Sequence, residues 1–64
     1  MDNTKQIRIL LIEDNPGDAR LMREALAGVK DVSFEMERVE RLSLGMKRLA
    51  EGGIDVVLLD LALP

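Results

Sequence analysis

Cysteine and histidine are both absent from the 64 residues. That excludes a disulfide scaffold, a Cys/His zinc site and any mechanism that needs an imidazole base, so whatever chemistry the chain performs must use carboxylates. A long apolar run is also missing: the longest stretches fall far short of the roughly 20 residues a membrane span requires. The polar opening, residues 1–6, does not read as an export signal. With cysteine absent as well, a cytoplasmic protein is the expectation. Nor is there a basic face. Nine Lys and Arg are interleaved with twelve Asp and Glu for a net charge of −3, which speaks against direct nucleic-acid binding by this segment. Internal repeats and low-complexity segments are lacking too. The length permits one small domain that buries proportionally little of its surface.

What is present alternates. Residues 7–12, Ile-Arg-Ile-Leu-Leu-Ile, are apolar and β-branched, too short for a typical helix, and end at the polar cluster Glu13-Asp14-Asn15-Pro16-Gly17, which predicts a buried strand. Asn15 followed by Pro16 is a helix start, since Asn accepts from unpaired first-turn amides and Pro has no N–H to leave unpaired. Asp18 suits that first turn. From residue 16 to about 27, Leu21, Met22, Ala25 and Leu26 recur at helical spacing, opposite Arg20, Arg23 and Glu24. Gly28 is placed to end this helix in a left-handed conformation. Residues 33–39 set Phe34 and Met36 against Glu35 and Glu37, the alternation of a strand with one dry face near a sheet edge. Residues 41–51 place Leu42, Gly45, Met46 and Leu49 on one helical stripe, stopped by Gly52-Gly53, with Gly45 tolerable if it permits close packing on the sheet. Residues 54–60, Ile-Asp-Val-Val-Leu-Leu-Asp, form a third strand of the kind covered on both faces. Strand, helix, strand, helix, strand with short connections predicts parallel β-α-β units and a doubly wound α/β sheet.

Ligands of such sheets bind beyond the carboxyl ends of the strands. Glu13 and Asp14 follow the first strand there and Asp60 closes the third, so if those strands are neighbours three carboxylates share one crevice. Taken singly, Glu13 or Asp14 is as readily a turn former or cap. Asp60 is harder to explain structurally, because it ends four consecutive apolar residues. Together the three repel unless a cation sits among them, and an oxygen-rich cluster suits magnesium. Asp55 begins its strand and reads as a solvated or capping residue. Asp18, Asp31, Glu35, Glu37 and Glu40 read as solvated faces or turns.

Ile-Leu-Leu-Ile-Glu-Asp-Asn-Pro at positions 9–16 and Asp-Val-Val-Leu-Leu-Asp-Leu-Ala-Leu-Pro at positions 55–64 closely resemble the first and third strands of bacterial response-regulator receiver domains. Their separation fits as well, so the resemblance covers the whole chain as the N-terminal half of a receiver, residues 1–64. It implies a flavodoxin-like (CheY-like) doubly wound parallel sheet, truncated to β1-α1-β2-α2-β3. It also implies that Asp60 is the phosphoacceptor, taking a phosphoryl group from a sensor histidine kinase. Mg2+ would be bound by Asp14 directly, by Glu13 through water or hydrogen bonding, by Asp60, and by the backbone carbonyl of Ala62. Pro64 matches the turn after the phosphorylated strand, where it rigidifies a loop. The expected role is a two-component signalling module rather than an enzyme.

The remaining half of a receiver normally supplies a Ser or Thr and a Lys to the phosphoryl group. Here Thr4, Ser33 and Ser43 lie outside the matched positions, and Lys5, Lys30 and Lys47 do not fall at a strand end near the crevice. An open third strand would be a template for pairing, so self-association through it is expected, with third strands side by side about a two-fold axis or through swapped elements. A receiver-like interaction or dimerisation module that is never phosphorylated is the alternative. A nucleotide-binding module is disfavoured because the first strand leads into Glu-Asp-Asn-Pro-Gly, with neither G-x-G-x-x-G nor a Gly-Lys-Ser/Thr ending. A topoisomerase-type metal site would want an acid two residues beyond Asp60, where Ala62 stands.

Overall fold

A computed structural model describes residues 5–60 of the chain. The elements are β1 (Lys5–Ile12), α1 (Pro16–Ala27), β2 (Val32–Val39), α2 (Leu42–Ala50) and β3 (Val56–Leu59). The strands form one parallel sheet in the order β2-β1-β3. This is an α/β fold in which the chain leaves β1 for one edge and returns across it to the other. Ile9 to Ile12 are buried because β1 is the central strand, flanked on both sides and covered on both faces.

The two helices lie on opposite faces. Partners in a parallel ladder point the same way, so Phe34 and Met36 share a face with Ile7 and Ile9, while Val39 shares the other with Ile12. Helix α1 lies over the first face, where Arg23, Leu26 and Ala27 border an open groove of about 300 Å3 against Val32, Phe34 and Met36. Helix α2 lies over the second. A Cβ at Gly45 would run into Ile12 Cδ1 and Cγ1 and approach Val39 Cγ2 at 3.6 Å. The bare glycine therefore lets α2 sit directly on the sheet, which offsets its low helix propensity.

Local signals hold at the start of α1 and the end of α2, but not at the end of α1. The Asn15 side chain accepts from the amides of Gly17 and Asp18 at 2.8 and 3.2 Å and starts α1, with Pro16 at its first position. Gly52 and Gly53 take positive φ after α2, and Arg48 donates to the Gly52 carbonyl at 2.7 Å while reaching Glu37 of β2 at 2.7 Å. Gly28 is the exception: its φ is −83°, and the left-handed residue of that connection is Asp31 at φ 64°. The turn into β2 thus makes its left-handed bend three residues later, at an Asp that tolerates it.

The helical stripes are corrected more substantially. Ala19 is the buried residue of α1, with Leu26 half-buried, whereas Leu21 is 64% exposed and Met22 and Ala25 also face outward. In α2, Gly45 is buried and Leu49 half-buried, but Leu42 and Met46 are exposed. A three-stranded sheet offers each helix a strip narrower than its apolar arc. The smallest side chains win the contact because they allow the closest approach.

Strand β2 alternates half-buried and exposed positions at the sheet edge, as its sequence predicts. Strand β3 does not behave as a strand covered on both faces. Val56, Val57 and Leu59 are all at least 40% exposed, because β3 is the opposite edge and neither helix extends over it. Asp55 fastens its start: the Arg8 amide donates to Asp55 Oδ2 at 2.9 Å and the Asp55 amide donates to the Arg8 carbonyl at 2.9 Å. No helix among the described residues is long and apolar enough to cross a membrane.

Candidate metal centre

Parallel pairing of β1 with β3 aligns Ile12 with Leu59, so the residues that follow each strand emerge side by side. The Asp60 amide extends the ladder by donating to the Ile12 carbonyl at 3.1 Å. On the other side, the Glu13 amide donates to the Val39 carbonyl at 3.0 Å. The result is the expected convergence. Carboxylate oxygens of Glu13, Asp14 and Asp60 all lie within 4.8 Å of one another.

Their environments differ. Glu13 is 8% exposed, Asp60 half-buried and Asp14 exposed. Glu13 Oε1 accepts from the Asn15 amide at 3.0 Å, so Asn15 serves both the carboxylate and the start of α1. That amide is the largest single influence on the Glu13 pKa and lowers it. Burial, hydrogen bonding and charge from Asp60, and hydrogen bonding with Asp14 act together in the opposite sense and prevail, leaving the pKa above the ordinary glutamate value. Burial contributes most to the rise, and the neighbouring carboxylates add to it. A proton is one way to relieve them and a hard divalent cation is another.

These donors fit a small oxygen-ligated ion. All three are carboxylates, the exposed Asp14 leaves one side open to water, and magnesium takes few protein ligands and keeps several waters. Ala62, whose carbonyl the receiver resemblance adds to the set, and Pro64 lie outside the described residues. The lysines behave as the sequence suggests: Lys5 begins β1 at its far end and Lys47 lies within α2.

Arg38 also reaches this site, from β2, through a contact that local sequence pattern does not mark. Its Nη1 donates to the Glu13 carbonyl at 3.1 Å and its Nη2 reaches Glu40 at 3.5 Å. The signal was the register: Arg38 precedes the last residue of β2, which pairs with Ile12, and that pairing cannot be read along one strand.

Comparison with protein families, curated proteins and solved structures finds no match to the chain. The receiver resemblance rests on its two segments and their spacing.

The raised Glu13 pKa has a measurable sign. The folded chain keeps the Glu13 proton to higher pH than the unfolded chain, so this group's contribution to stability falls as pH rises from the ordinary glutamate range through the raised value. A cation that replaces the proton reverses the trend. The urea midpoint is expected to gain more from added Mg2+ at pH 7 than near pH 4, where a proton on Glu13 competes with the ion. An equal gain at both pH values would count against binding at these acids.

Proposed function

We propose that this chain is the phosphoacceptor part of a two-component receiver, of flavodoxin-like architecture, in which Asp60 takes a phosphoryl group from a sensor histidine kinase with Mg2+ held by Asp14, Glu13 and Asp60. The supporting observation is the convergence of these three carboxylates at the carboxyl ends of the adjacent parallel strands β1 and β3. An Asp60 carboxylate oxygen attacks phosphorus, the phosphorus–nitrogen bond of a phosphohistidine breaks, and the imidazole leaves as an acyl phosphate forms. Phosphoryl transfer asks little covalent chemistry of the protein beyond placing that oxygen in line. Bound among the acids, a divalent ion supplies charge to offset what gathers on the phosphoryl oxygens. Glu13 is held from three directions, which keeps its carboxylate beside Asp60 before any ion arrives.

An intact mass spectrum after incubation with acetyl phosphate tests the reading. One added phosphoryl group is expected with Mg2+ present and none after chelation. Failure to incorporate with Mg2+ would remove the phosphoacceptor role from this chain.

The exposed β3 favours a second, compatible reading as a self-associating module. Val56 to Leu59 carry no charge, and among the described residues no strand pairs with their outer edge. Antiparallel pairing of two such edges about a two-fold axis between Val57 and Leu58 would set Asp55 opposite Asp60. Salt and Mg2+ should therefore strengthen the dimer by screening those acids. Sedimentation showing a monomer at high concentration in both would dismiss it.

A further inference from the structure

We infer that Arg38 is a positioning residue for the acidic site, holding the Glu13 segment from strand β2 so that the Glu13 carboxylate stays with Asp14 and Asp60. The inference rests on the proposed reading only in taking those acids to bind a divalent cation.

Glu13 is the first residue beyond β1, where ladder hydrogen bonds run out and a carboxylate beside two others has every electrostatic reason to swing away. Both of its main-chain polar groups are nevertheless held by β2. Its amide donates to the Val39 carbonyl at 3.0 Å and its carbonyl accepts from Arg38 Nη1 at 3.1 Å. Its side chain is held separately, by the Asn15 amide. With the main chain pinned on one side and the carboxylate on the other, the segment has little freedom to relieve the repulsion by moving.

What Arg38 touches matters as much as its presence. A guanidinium set directly on the Glu13 carboxylate would compete with a cation for the same oxygens. Arg38 binds the main-chain carbonyl instead. Its second nitrogen rests on Glu40, and its side chain is only 26% exposed, so the fork is oriented before any ion binds. A planar fork serves two acceptors at once, which a lysine cannot do from the same place.

Mn2+ binding by the full chain, read by electron paramagnetic resonance of the free ion, tests this; the chain has no tryptophan or tyrosine to report binding by emission. Loss of one charge-assisted hydrogen bond should weaken Mn2+ binding about tenfold in R38M. R38K, which keeps one donor, should fall between R38M and the parent. E40Q, which leaves the Glu13 contact intact, should bind within about twofold, as expected for an exposed pair. Circular dichroism shows whether each variant is folded. Parent-like Mn2+ binding by folded R38M, with stability alone reduced, would make Arg38 purely structural and overturn the inference. If R38M does not fold, R38K decides: binding equal to the parent overturns the inference and weaker binding supports it. Failure of the parent itself to bind Mn2+ would instead overturn the metal-site reading and Arg38's role with it.

Discussion

Asp60→Asn is expected to abolish phosphoryl incorporation from acetyl phosphate while leaving the chain folded. The amide keeps the shape of the carboxylate but offers no anionic oxygen to attack phosphorus. It also removes one charge from a cluster whose crowding already lifts the Glu13 pKa. The Glu13 pKa should therefore move down in the variant, and the urea midpoint at neutral pH should stay level or rise. A purely structural Asp60 predicts the opposite pairing, since a half-buried side chain within reach of Glu13 and Asp14 would then be kept for what it holds together. Intact mass and the urea midpoint, measured on parent and variant side by side, separate the two. Lost stability with unchanged incorporation would sink the acceptor assignment.

Leu10→Ala is expected to be the most damaging single truncation, and Leu21→Ala nearly silent. Leu10 is completely buried at the centre of β1. Its removal should cost about 2–5 kcal/mol, the range for a core leucine left as a cavity. A domain this small has only about 3–10 kcal/mol in total on a per-residue scale, so a large unfolded fraction should appear in far-UV circular dichroism at room temperature. Leu21 lies on what the sequence marks as the apolar stripe of α1 but is 64% exposed. Its truncation should change stability by no more than about 0.5 kcal/mol. Comparable losses in the two variants would mean that α1 packs on the sheet through a different face.

These two leucines mark how far local pattern reaches. The existence, order and type of all five elements are legible because period, caps and turn residues act within a few positions of one another: Asn15-Pro16 starts α1, and Gly52-Gly53 ends α2. Which side of a helix is buried is not local in that sense. Both the helix hydrophobicity and the width of the sheet beneath it decide the outcome, and the sheet is only three strands wide. Leu21, Met22, Leu42 and Met46 are left outside for that reason, while Ala19 and Gly45 take the contact. Likewise Gly28 offers the freedom to turn left-handed, but the route into β2 uses Asp31 instead.

The three acids could be named from the sequence because each ends an apolar run, and strand ends are where side chains of a parallel sheet become available to ligands. Their convergence could be anticipated only on a condition. It requires β1 and β3 to be neighbours, in the register that aligns Ile12 with Leu59, and register is set by packing across the sheet rather than along the chain. The same register brings Arg38 to the Glu13 carbonyl across 25 residues of sequence, a contact with no mark in local pattern. Sequence by itself determined the alternation of strands and helices, the start of α1, the glycine stop after α2 and the identity of the candidate acids. Tertiary structure decided which strand is central, which side chains are buried and which acids meet, because those outcomes depend on contacts between segments that no local energy specifies.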